Sequence, residues 1–132
     1  MLFRSGLPAL YRASCRLDGV APRLQTPAEI TAAASAGDDQ AMQVLEQFCI
    51  WLGRVAGDAV LTLGARGGVY LAGGMLPRFA DFFVRSGFMQ SFRDKGRMSR
   101  YFDDIPVRLV TAEYPGLLGA GVALQQARPD LR

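Results

Sequence analysis

The chain has 132 residues, half of them apolar and one-fifth charged, so it can bury a core and is not a disordered segment; its length suits one domain. The net charge of +3 comes from fourteen arginines and one lysine against twelve acids, with no histidine anywhere. Without histidine, a Ser-His-Asp hydrolase, a His-ligated zinc enzyme and His-based acid/base catalysis are all excluded for these residues.

The chain opens on Arg4, Arg12 and Arg16 with no acid among its first 17 residues, a composition shared with organellar transit peptides. Ser5-Gly6-Leu7-Pro8 ahead of Ala9-Leu10-Tyr11 reads more simply as a capped helix start. Thr26-Pro27-Ala28-Glu29 is a capping box with proline at the first helical position, and Gly37 closes that short helix. Asp38 then caps a longer helix. Its apolar positions Ala41, Val44, Leu45, Phe48, Cys49, Leu52, Val55, Ala56, Ala59, Val60 and Leu63 follow the spacing of a core-facing helix. Gly53 and Gly57 interrupt it, each costing about 1 kcal/mol relative to alanine, which is tolerable where another backbone approaches closely. The expectation is a helix buried against a sheet.

The second half changes character. Gly64-Ala65-Arg66-Gly67-Gly68 is a turn, and Val69-Tyr70-Leu71-Ala72 is a short apolar run without alternation, as in a strand covered on both faces. Gly73-Gly74 follows, then Pro77 opens a helix through Phe79, Phe82 and Phe83. The stretch from Ser91 to Asp104 is polar and basic and carries one or two short helices. A second strand is expected at Val107-Arg108-Leu109-Val110-Thr111-Ala112, and Pro115-Gly116 starts a final helix from Leu117 to about Ala127. A strand–helix–strand crossover makes the strands parallel neighbours. Sheets average about five to six strands, so two strands point to part of a larger domain.

The two cysteines, Cys15 and Cys49, are far apart and read as reduced, partly buried cytosolic thiols. No stretch reaches the roughly 18 consecutive apolar residues of a membrane span; the nearest, Ala59 to Leu76, is broken by Arg66 and five glycines.

Chemistry concentrates at Gly68-Val69-Tyr70-Leu71-Ala72-Gly73-Gly74-Met75-Leu76-Pro77-Arg78. Here a buried strand runs through two glycines into a helix N-terminus. Glycines admit a ligand to the main chain, and such a junction at the carboxyl end of a parallel strand is where open α/β sheets bind ligands. A plain tight turn is the simpler reading of a lone Gly-Gly. The glycines at 116, 119 and 121 suit close helix packing. Arg93 to Phe102 mixes basic and aromatic residues, but Asp94, Asp103 and Asp104 weaken its field and no nucleic-acid signature accompanies it, so a solvated connecting segment is expected and nucleic acid is not a partner. Phe88 and Phe92 read as core anchors. Asp58, Asp81 and Glu113 are isolated carboxylates read as surface groups.

Taken together, Gly67-Gly68-Val69-Tyr70-Leu71-Ala72-Gly73-Gly74-Met75-Leu76-Pro77-Arg78-Phe79, Ser86-Gly87-Phe88, Phe92-Arg93-Asp94-Lys95-Gly96-Arg97-Met98, Asp104-Ile105-Pro106-Val107 and Pro115-Gly116-Leu117-Leu118-Gly119-Ala120-Gly121 closely resemble the C-terminal part of bacterial glucokinases. The likeness runs in order over most of residues 38–126, and Asp94-Lys95-Gly96-Arg97 is specific to that family. The resemblance implies an α/β fold: the C-terminal part of a ribonuclease H-like, actin/hexokinase-type lobe, helix-rich, with at least two parallel strands and incomplete as a domain. It implies a helical segment at 1–64 and an adenosine-motif strand–helix–strand–helix segment at 65–127. The activity it implies is transfer of the γ-phosphoryl group of ATP, with Mg²⁺, to the 6-hydroxyl of glucose in the cytoplasm.

Within that resemblance Leu71-Ala72-Gly73-Gly74 looks like the adenosine motif, making Gly73, Gly74 and Met75 the expected nucleotide contacts. Gly116 to Gly121 looks like the second connecting helix between lobes. The family's phosphate loop, catalytic Asp and sugar-binding Glu and His have no counterpart in this chain. No catalytic residue or metal ligand is therefore expected within it, and it is expected to be inactive alone. Its partners would be ATP, the N-terminal half of the kinase and, through that half, glucose; the family commonly forms homodimers. The opening Leu2-Phe3-Arg4-Ser5-Gly6-Leu7 departs from the family's Leu-Ser-Gly-x-Gly, which suggests a truncated or altered start. The rival reading is a stand-alone nucleotide-binding or oligomerisation module without catalytic activity.

Overall fold

The computed structural model describes residues 3–128. Three helices come first: α1 (Phe3–Leu17), α2 (Pro27–Ser35) and α3 (Asp39–Leu63). Strand β1 (Val69–Leu71) leads through a 3₁₀ turn (Leu76–Phe79) into α4 (Ala80–Arg85) and α5 (Phe88–Arg93). A second 3₁₀ segment (Gly96–Phe102), strand β2 (Val107–Leu109) and α6 (Pro115–Ala127) complete the order.

The helix starts follow local chemistry. Glu29 N–H donates to Thr26 Oγ1 at 3.2 Å, and the Glu29 carboxylate accepts from Thr26 N–H at 3.3 Å and Gln25 N–H at 2.8 Å. The reciprocal capping box is therefore formed, and a third main-chain donor joins it. Those main-chain bonds hold the Glu29 carboxyl below its ordinary range. At α3, Ala41 N–H donates to Asp38 Oδ1 at 2.8 Å, and Gly64 ends the helix in the left-handed conformation at φ 61°. The start of α1 differs from expectation: the helix begins at Phe3 and holds Pro8 inside it. One ladder bond is lost there, and burial of Leu7, Tyr11 and Cys15 along one face offsets it. The altered opening that begins at Leu2 lies partly outside the described residues.

The long α3 packs against α1, α2 and α5, so its neighbours are helices and not the sheet as expected. Its two glycines do mark a close backbone approach. A Cβ at Gly53 would strike the Phe88 carbonyl oxygen, and one at Gly57 would lie 2.5 Å from the Phe92 carbonyl oxygen. Gly53 and Gly57 thus let the main chain of α5 lie directly on α3. A file of aromatic rings continues this core: Phe83–Phe88 centroids are 4.8 Å apart, Phe88–Phe92 6.0 Å and Phe92–Phe102 5.0 Å. Phe88, Phe92 and Phe102 are fully buried, each worth roughly 1.5–3 kcal/mol of transfer free energy. The basic stretch between them is consequently anchored at both ends, while its Arg93, Arg97 and Arg100 face solvent.

Lys95 ties the same contact together. Its Nζ donates to the Arg54 carbonyl at 3.1 Å and pairs with Asp58 Oδ1 at 2.8 Å, while the Lys95 side chain is nearly covered.

β1 and β2 form a two-stranded parallel sheet in register Val69↔Val107, Tyr70↔Arg108 and Leu71↔Leu109. Val69 N–H donates to the Pro106 carbonyl at 2.8 Å and Val110 N–H to the Leu71 carbonyl at 2.9 Å. Both strands are shorter than the apolar runs that announced them. Only one face is covered: Leu71 is buried, whereas Tyr70 is 65% exposed. The expectation of a strand covered on both faces fails within these residues because the helices lie on one side of it. α6 likewise leaves Leu117, Leu118, Val122 and Leu124 exposed, and a Cβ at Gly116, Gly119 or Gly121 would meet nothing within 4 Å. Its glycines have no packing partner among the described residues.

Candidate functional site

The Gly-Gly junction opens on a cavity of about 720 Å³, within the range of small-molecule sites. β1 delivers the chain to it and stops where Leu71 enters the core. Ala72, Gly73 and Gly74 are exposed, Met75 is half-buried, and Leu76 and Phe79 then sink back into the core and fix the 3₁₀ turn, whose Arg78 N–H donates to the Met75 carbonyl at 3.1 Å. Gly73 lies at φ 157°, strained for any residue with a side chain. Among the described residues a Cβ on either Gly73 or Gly74 would meet nothing within 4 Å. The two glycines leave the main chain bare at the mouth of the cavity.

The opposite wall comes from the helices. The start of α2 contributes Thr26, Pro27, Ala28 and Thr31, and α3 contributes Phe48 and Leu52. None of these residues is placed at the site by the sequence alone. The capping box locates the start of α2 but not what it faces, and Phe48 and Leu52 carry the same spacing as the core positions around them. Tyr70 and Arg78 stand at the rim, with the Arg108 guanidinium over the Tyr70 ring at 5.7 Å. The cavity is thus apolar in its depth, with one charged side chain, Arg78, in its lining.

Gly73, Gly74 and Met75 all line this cavity. The isolated carboxylates do not: Asp58, 68% exposed, is held by Lys95, and Asp81 and Glu113 lie exposed away from the lining. Among the described residues no three His, Cys, Asp or Glu side chains converge on a point that could hold a metal. Cys15 and Cys49 are both buried and unpaired with each other. Burial, with the Glu46 carboxylate nearby, pushes the Cys49 thiol up to about 11 against a hydrogen bond with Ser86 that lowers it. Among the described residues, no helix is long and apolar enough to cross a membrane.

A protein-family model described as glucokinase matches residues 2–127. The chain is 60% identical over 124 residues to a glucokinase of Pseudomonas aeruginosa, covering 93% of this chain and 38% of that protein. It is 52% identical over 126 residues to a glucokinase of Hahella chejuensis, covering 95% of this chain and 39% of the relative. The crystal structure of a glucokinase from an Antarctic psychrotroph superposes with a TM-score of 0.82 at 37% identity, over 93% of this chain and 38% of that one. The match is thus nearly complete on one side and little more than a third on the other.

Proposed function

Because this chain belongs to the glucokinase family and spans its C-terminal portion, we propose that it supplies the adenosine side of an ATP-dependent glucose kinase. The carrying observation is the bare Gly73-Gly74 main chain at the mouth of a cavity about 720 Å³ in volume. In this reading residues 1–64 form the helical segment and residues 65–127 the adenosine-motif segment. The adenosine of ATP lies against Gly73, Gly74 and Met75, with its base toward Phe48 and Leu52.

The reaction moves the γ-phosphoryl group of ATP onto the 6-hydroxyl of glucose, whose proton passes to a carboxylate base. In this reading the base, the sugar contacts and the magnesium ligands belong to the portion of the family fold outside these residues, as the family resemblance implies, and the chain alone does not phosphorylate glucose. Magnesium would supply charge neutralisation on the transferring phosphates; this chain's part is to hold and orient the nucleoside. We place the working enzyme in the cytoplasm. The open face of β1 and the uncovered apolar side of α6 also suit an oligomerising module without catalysis, the second reading.

A chimera decides between them. The matching portion of the Pseudomonas aeruginosa relative is replaced by this chain, and glucose 6-phosphate formation is followed in a coupled NADP⁺ assay beside the chain alone. Turnover by the chimera that Gly74→Val abolishes while the variant stays folded supports the kinase reading. A folded chimera that neither binds ATP nor turns over overturns it. A compact self-associating chain without nucleotide affinity favours the module.

A further inference from the structure

The walls of the cavity say how a base would be read. Strong discrimination between bases, about 10⁴–10⁵-fold, comes from buried polar groups that the wrong base leaves unpaired, whereas an apolar pocket rejects a substituent by only about 10²-fold. Thr31 is the buried polar side chain of the lining, 6% exposed, and its hydroxyl already donates to the Ala28 carbonyl at 3.0 Å. Thr26 Oγ1 is engaged by Glu29 N–H at 3.2 Å. Among the described residues, no buried side-chain nitrogen or oxygen lacks a hydrogen-bond partner. Of the other lining side chains, the Tyr70 hydroxyl and the Arg78 guanidinium belong to residues that are exposed among those described, as are Ala72 to Gly74. When a base fails to match them, water can take its place. Phe48, Leu52 and Met75, all half-buried, line the cavity, and stacking on an aromatic side chain is tolerant of which base is stacked.

We infer that the cavity accepts purine nucleoside triphosphates by stacking and shape, so that GTP and ITP serve alongside ATP. This rests on the nucleotide-site reading above and names the ligand class of the same site. The test is equilibrium dialysis of ATP, GTP and ITP against the full chain, together with KM for the three nucleotides in the chimera, whose turnover reports an assembled site. Affinities and KM values within about a hundredfold of one another bear the inference out. A wider gap in favour of ATP overturns it while leaving the nucleotide site standing. Absence of binding and of turnover with every nucleotide overturns both. Thr31→Val separates the remaining case: its hydroxyl is spent within α2, so the GTP-to-ATP ratio stays the same, and a tenfold or larger change, about 1.4 kcal/mol, would mean that Thr31 reads the base.

Discussion

Gly53→Ala sets two opposing effects against each other, and the structure says which wins. A glycine inside a helix is about 1 kcal/mol less favourable than alanine, so in open helix the substitution stabilises. At Gly53 the added Cβ would strike the Phe88 carbonyl oxygen, with the Phe88 carbonyl carbon and the Phe92 nitrogen both 3.1 Å away. These are main-chain atoms of α5 and cannot rotate aside. α3 and α5 must separate, loosening Phe88 and Phe92, which are 1% and 0% exposed. Overpacking of this kind costs about 1–3 kcal/mol, and contact with a fixed backbone belongs at the upper end. Subtracting the helical gain leaves a net loss of about 2 kcal/mol, a melting midpoint lower by roughly 5–10 °C. Gly119→Ala is the control: its Cβ meets nothing within 4 Å, so there only the helical gain acts and stability rises by up to about 1 kcal/mol. Thermal and urea unfolding of both variants measure the difference. A Gly53→Ala chain as stable as its parent would refute the close approach of α3 and α5.

The tie around Lys95 is asymmetric. Lys95→Met removes the charge-assisted bond to the Arg54 carbonyl and is expected to destabilise by about 1–3 kcal/mol, whereas Asp58→Asn, at an exposed and screened position, costs under about 1 kcal/mol in urea unfolding. For Glu29 the main-chain bonds that lower its carboxyl make its contribution present above the ordinary carboxyl range and lost as pH falls through the lowered value. The melting curves of the parent and Glu29→Gln are therefore expected to converge on the acid side, and carboxyl NMR should show Glu29 titrating below its model-peptide range. Cys49, with its thiol pushed up to about 11, stays protonated at neutral and mildly alkaline pH. Its reaction with Ellman's reagent at those pH values should follow the unfolding rate, and rapid reaction in the folded chain would contradict the burial.

Where a structural feature depends on neighbours a few residues away, it was legible in the residues themselves. The capping box at Thr26 and the Asp38 cap are contacts between positions three apart, and they formed as expected. Gly53 and Gly57 announced a close approach because a helix tolerates two glycines only for a reason of that kind. The parallel pairing of β1 and β2 followed from an intervening helical crossover, and the ordered motifs from Gly67 to Gly121 identified the family. What approached α3 was not legible: a glycine records that a backbone is near, not whether it belongs to a strand or to α5. The covering of β1 was legible only in part. An uninterrupted apolar run records that a strand is suited to burial on both sides; among the described residues one side is covered, and Tyr70 and the apolar residues of α6 stand open. The cavity wall of Thr26, Thr31, Phe48 and Leu52 was equally hidden, since it joins segments some 20 to 50 positions from Gly73. Local hydrogen bonding and backbone preference act between chain neighbours and leave their mark in short motifs. The choice of which surfaces meet is made by packing between distant segments, which no short motif encodes.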